Sequence, residues 1–355
     1  MRLIEKVWFH SHSAKWLLVP LLLPLSVIFA LISFLRRLAY QFGLLQSVKM
    51  SVPVVVVGNI GIGGNGKTPV TLYLVEQLTA QGLKVGVVSR GYGSKAPHYP
   101  YQVSNESSAA QAGDEPLLIF KRSGVDVVIG ADRVQACQRL IELGCELIIA
   151  DDGLQHYRLA RDFEFVVVDG KRLFGNGLLL PAGPLRETKS RINSADCVIV
   201  NGISSWPKQT GELALPIVNM QLNATKVINV KSGVMVELEH FLTQNVATDK
   251  AVNALAGIGD PKRFFNTLEQ VGFTLRATQG FVDHQAFSSQ DLQPFSSDIP
   301  LLMTEKDAVK CADFAEEHYW YLPVDAVFTA NNAGESINAG ESINAGESIT
   351  AVIKK

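Results

Sequence analysis

The chain has 355 residues, 47% of them apolar and 19% charged, with a mean hydropathy of +0.16. That composition excludes wholesale disorder and collagen-like character, and the length suits two domains with real cores. Lys and Arg number 32 against 34 Asp and Glu, for a net charge of −2. No nucleic-acid partner is expected from a chain that lacks a basic excess.

The first element is apolar. Trp16–Leu35 carries no charge and, as a helix, would be about 30 Å long, the thickness of a bilayer core. Lys15 and Arg36-Arg37 flank it, and no small-residue cleavage site follows, which argues against a signal peptide. Pro20 and Pro24 argue against an undistorted buried helix. Membrane association is expected, either as a span or as a kinked helix lying in one leaflet.

From Val52 the pattern becomes that of an α/β protein. Apolar strands are expected at Val52–Val57, Lys84–Ser89, Val125–Ile129, Glu146–Ala150, Phe163–Asp169 and Cys197–Val200. Helices are expected at Pro69–Ala80 and about Asp132–Leu143. Strands apolar on both faces imply a doubly wound parallel sheet covered on both sides. The polar stretch Gly202–Leu213 reads as a boundary. Beyond it, a strand at Ala251–Ala256, a helix opened by Pro261 and a strand ending near Met303 make a second, smaller α/β unit. Asn332–Ile349 repeats NAGESI three times and reads as a disordered low-complexity tail. The expected division is 1–50 membrane-associated segment, 51–205 phosphate-loop nucleotide-binding domain, 206–330 smaller α/β domain, and 331–355 tail. Cys137, Cys145, Cys197 and Cys311 form no Cys-x-x-Cys pair and read as reduced, buried thiols.

Gly61-Ile62-Gly63-Gly64-Asn65-Gly66-Lys67-Thr68 fits the phosphate-loop pattern at every fixed position, after a strand and before a helix. Its backbone N–H groups would wrap phosphate oxygens, with Lys67 on the β/γ-phosphates and Thr68 on Mg²⁺. Gly61, Gly63 and Gly66 also match a dinucleotide fingerprint, but the acidic residue expected about 20 positions later is replaced by Ser89-Arg90. The strand Glu146–Ala150 ends in Asp151-Asp152. In a phosphate-loop fold a strand-end acid holds Mg²⁺, and either of the two suits that role.

Taken with VGNIGIGGNGKTPV, the segments SRGYG (Ser89–Gly93), GDEP (Gly113–Pro116), GADR (Gly130–Arg133), ADDGLQH (Ala150–His156), LLPAGPLRE (Leu179–Glu187), AGIGDPKRFF (Ala256–Phe265), FVDH (Phe281–His284) and MTEKDAVK (Met303–Lys310) resemble the tetraacyldisaccharide 4'-kinases, the lipid A 4'-kinases of Gram-negative bacteria. Two features depart from that family's pattern: Gln285 after His284, and the NAGESI repeats.

The resemblance implies transfer of the ATP γ-phosphate to the 4'-hydroxyl of a tetraacylated glucosamine disaccharide 1-phosphate, forming lipid IV-A at the cytoplasmic face of the inner membrane. The partners it implies are that lipid and the membrane surface, with no obligate protein partner. It also implies that Asp114 takes the hydroxyl proton with His284 tuning or relaying. Asp283 is a neighbour that would orient His284, and Arg133, Arg186 and, more weakly, His156 would face phosphates or line the cleft. Tyr92 and Arg90 are weaker candidates. The competing classes are a membrane-anchored GTPase switch and a transport ATPase subunit. Thr304-Glu305-Lys306-Asp307 misses the guanine-reading [NT]-K-x-D pattern by one position, and neither extra spans nor an ABC-type signature is present.

Overall fold

The computed structural model describes residues 3–10, 12–202, 206, 215–244 and 249–330. Most of the polar stretch after Gly202 and all of the NAGESI tail lie outside the described residues. Contacts divide the chain into two compact units. Of the described residues, one comprises those within 3–90, 125–222 and 326–330; the other comprises those within 91–124 and 223–325. The division is therefore not sequential. The segment 91–124, expected within the nucleotide-binding domain, groups with the second unit, and the described residues up to Met50 group with the first.

In the first unit eight strands lie in the order Asp325–Ala330, Ile217–Asn223, Cys197–Asn201, Phe163–Asp169, Val54–Gly58, Leu147–Asp151, Val85–Ser89, Asp126–Ile129. From Ile217–Asn223 through to Asp126–Ile129 every neighbouring pair is parallel. Each residue of Val54–Gly58, Val85–Ser89 and Leu147–Asp151 is buried, as runs of Val, Ile and Leu covered on two faces must be. Parallel pairing collects the carboxyl ends of these strands at one edge, where α/β proteins bind ligands. That edge carries the glycine loop after Gly58, Arg90 after Ser89, Asp151-Asp152, Asp169 and Asn201.

The helix Lys15–Gln41 is the one described helix long and apolar enough to cross a membrane, and 6% of its most apolar window is buried. It runs unbroken through Pro20 and Pro24. Trp16, Leu17, Leu21, Leu25, Ile28 and Leu31 remain exposed. One polar residue faces inward: the Ser26 hydroxyl donates to Leu179 O at 3.0 Å and accepts from Ala182 N at 2.8 Å. The preceding helix, Leu3–Phe9, is pinned by Trp8, whose indole N–H donates to Pro181 O at 3.1 Å.

The second unit holds a six-stranded sheet in the order Met235–Glu237, Lys226–Asn229, Tyr319–Leu322, Leu301–Thr304, Ala251–Ala256, Thr274–Gly280. Its last four strands are parallel; the first two join antiparallel. Phe241, Phe264, Leu268, Phe273 and Leu302 pack its apolar core. All four cysteines are buried and unbridged; burial pushes the Cys137, Cys197 and Cys311 thiols up to about 12.

Candidate active site

In the first unit, the strand Val54–Gly58 feeds the glycine loop and the helix Lys67–Ala80. The loop needs glycine where the backbone turns left-handed, at Gly63 (φ 103°) and Gly66 (φ 91°). A Cβ at Gly66 would also sit 2.5 Å from Asn201 Nδ2. That amide donates to Asn65 O at 3.1 Å, so the end of the strand Cys197–Asn201 clasps the loop. The segment Leu179–Glu187 braces its other side: Ile62 N donates to Pro184 O at 2.9 Å, and Arg186 N donates to Ile60 O at 2.7 Å.

This bracing delivers the Arg186 side chain to Asp152, with Nη1 at 3.2 Å from each carboxylate oxygen. Lys67 Nζ lies 3.5 Å from Asp152 Oδ1. Burial opposes the charged carboxylate, but Lys67 and Arg186 outweigh it and hold Asp152 down at about 2. Asp152 adopts φ 49°, a left-handed conformation rare outside glycine and concentrated at functional sites. Asp151 is 1% exposed, opposite Val57 in the sheet, and accepts from Thr71 Oγ1 of the loop's helix at 3.1 Å. The carboxylates of Asp151 and Asp152 and the hydroxyl of Thr68 are hard oxygen donors of the type that Mg²⁺ takes.

Arg133 is 3% exposed, donates to Gly130 O at 3.1 Å and reaches Asp152 O at 3.5 Å. Burial lowers it to about 10, still a cation at neutral pH. Burial, with Arg133 and Arg161 nearby, lowers His156 to about 4, so its ring is neutral.

In the second unit, Gly113 (φ 84°) turns the chain so that Asp114 opens the helix Asp114–Ser123. A carboxylate there is favoured by the helix dipole. His284 (φ 62°) follows the strand Thr274–Gly280 and brings Nδ1 to 3.0 and 3.2 Å from the two Asp114 oxygens. Asp114 is 7% exposed. Burial opposes its charge, but the His284 hydrogen bond and the charges of Lys306, His284 and Lys310 hold it well below the usual carboxylate range. The Asp114 bond raises His284, against burial and Lys306. The Tyr92 ring lies 5.4 Å from the imidazole. Asp283 does not take the orienting role at Nδ1; its nearer oxygen stands 3.8 Å from Nε2 and its other accepts from Lys306.

Two kinds of residue escaped the pattern-based reading. Asn201 could have been suspected as a lone polar residue ending an apolar strand. Lys306 and Lys310 stand four apart on the helix Glu305–Cys311, the spacing that puts two side chains on one face.

A family model for tetraacyldisaccharide-1-P 4'-kinase matches residues 18–340. A tetraacyldisaccharide 4'-kinase of Colwellia psychrerythraea is 58% identical over 329 residues, which is 93% of this chain and 94% of the relative. The Vibrio campbellii enzyme of the same name is 48% identical over 332 residues, with the same coverage. Among solved structures, LpxK of Aquifex aeolicus in complex with ATP matches with a TM-score of 0.73 at 27% identity. The match covers 95% of this chain and 100% of that one.

Proposed function

The chain belongs to the tetraacyldisaccharide 4'-kinase family, and from that membership we propose how its residues carry phosphoryl transfer from ATP to the 4'-hydroxyl of a tetraacylated disaccharide 1-phosphate in lipid A biosynthesis. Such a reaction asks for charge neutralisation and an oriented nucleophile more than for covalent chemistry. The observation that carries the reading is the glycine loop with Lys67 beside it, set against Asp152 and Arg186. Residues 61–68 cradle the phosphates, and Lys67 neutralises the β/γ-oxygens. Arg186 and Arg133, fixed in the same cluster, supply further positive charge for phosphate.

Thr68 with Asp151 and Asp152 would hold Mg²⁺, which when bound neutralises phosphate charge. Asp114 accepts the proton of the 4'-hydroxyl, and His284 fixes the rotation of its carboxylate through Nδ1. A carboxylate of low pKa suffices, as in other kinases where an Asp takes the hydroxyl proton.

The exposed apolar face of Lys15–Gln41 seats the enzyme on the membrane that holds its acylated substrate, at about 0.8 kcal/mol per buried CH₂. Because ATP is cytoplasmic, the site faces the cytoplasmic side of the inner membrane.

ADP release in detergent micelles tests this reading. It is expected to require the disaccharide 1-phosphate lipid and Mg²⁺, and to stop on chelation. Equal ADP release without the lipid, or a preference for GTP, would support a nucleotide switch instead.

A further inference from the structure

We propose that Lys306 is a positioning residue of the reaction, holding the neutral His284 imidazole with its proton on Nδ1, directed at Asp114. The proposal deepens the functional reading above and rests on Asp114 acting as the base. Lys306 follows the strand Leu301–Thr304 on the helix Glu305–Cys311. Its side chain is 14% exposed, and its ammonium stands 2.7 Å from Glu115 Oε1, 3.1 Å from Asp283 Oδ1, 3.7 Å from Asp114 Oδ2 and 3.5 Å from His284 Nε2.

An ammonium has donors only. A ring nitrogen facing it at 3.5 Å must present its lone pair, so the imidazole proton belongs on Nδ1, where the Asp114 carboxylate accepts it. The same charge opposes a second proton on the ring, against the Asp114 hydrogen bond, which raises His284. The groups facing His284 are thus Asp114, Asp283, Lys306 and the Tyr92 ring. The ammonium thus spans three carboxylates and the ring between them.

Its placement is itself built in. Thr304 caps the helix by accepting from Asp307 N, and the buried Asp307 accepts from Gly257 N at 2.9 Å and from Lys310 Nζ at 2.9 Å. Lys310, one turn on, reaches Asp114 Oδ2 at 3.7 Å as a second cation.

The test combines ¹⁵N NMR of the His284 ring with kinetics on full-length Lys306→Met, Lys306→Gln and Lys306→Arg. In the first two, the Nδ1–H preference is expected to fade and the His284 pKa to rise. Turnover should fall about 10- to 100-fold, less than the whole contribution of a general base. The KM for ATP should stay within about threefold, and Lys306→Arg should restore most of the turnover. An unchanged tautomer and pKa in Lys306→Gln overturns the proposal, as does a loss of turnover that merely tracks the melting temperature. Asp114→Asn is measured in parallel. If that variant keeps its turnover, the base assignment fails; if it loses turnover while the His284 signals ignore Lys306, only the Lys306 role fails.

Discussion

Asp114→Asn is expected to lower kcat by about 10³-fold while the KM for ATP stays within about threefold. The two effects separate because the phosphate loop, Lys67, Asp151 and Asp152 belong to one compact unit and Asp114 to the other. The amide keeps the size of the carboxylate and still offers an oxygen to His284 Nδ1, but it carries no charge with which to take a proton. It also leaves Lys306 and Lys310 facing a neutral group where each now lies 3.7 Å from a carboxylate oxygen. Some loss of stability should therefore accompany the loss of rate. A thermal melt run beside steady-state kinetics distinguishes the two, since a fold defect that lowers turnover would show as unfolded protein at the assay temperature. Turnover within tenfold of the parent would remove Asp114 from the role of base.

The largest stability effect is expected at Arg191. Its side chain is 3% exposed and donates to both oxygens of Glu164, at 2.6 and 2.7 Å. It also donates to Ser194 Oγ at 2.7 Å and Tyr157 Oη at 3.3 Å, with Glu187 at 3.5 Å. Tyr157 donates in turn to Glu187, the residue after Arg186. This buried network anchors the segment that braces the phosphate loop.

Removing one partner of a buried pair leaves a charge uncompensated, at about 3–5 kcal/mol. Arg161 Nη1, at 2.7 Å, would be left as the described cation on Glu164. Arg191→Met should lower the melting temperature by on the order of 10 °C for a unit of this size. The double variant Glu164→Leu/Arg191→Met should recover little of that loss, because Arg161, 13% exposed, would then lose its own carboxylate partner. A melt within 2 °C of the parent for the single variant would contradict this account.

The parallel sheet and the phosphate loop were legible because both are local signals. The apolar run Val54–Val57 cannot face water on either side, and the glycines of 61–66 serve no other common purpose in front of Lys-Thr. Asp151-Asp152 followed from the same logic, as acids ending an apolar strand beside the loop. The Asp114–His284 pair was legible only through the family resemblance, since 170 residues separate its members and neither sits in a telling local pattern.

The segment 91–124 illustrates the limit. Its sequence lies between two strands of the first sheet, Val85–Ser89 and Asp126–Ile129, so chain order assigns it there, yet its contacts as a whole group it with the second unit. Lys306 was hidden for a related reason. Its significance comes from Glu115, Asp283 and Asp114, brought to it from two distant stretches of chain, while its own helix looks like any charged surface turn.

The most direct test is where the phosphate goes. Incubated with γ-labelled ATP, Mg²⁺ and the tetraacylated disaccharide 1-phosphate, the enzyme should place the label on the lipid as a second phosphomonoester. ³¹P NMR with ¹H correlation should locate it at the 4' carbon, one label per ADP formed. Label appearing as inorganic phosphate, or on the lipid at any other position, would contradict the account.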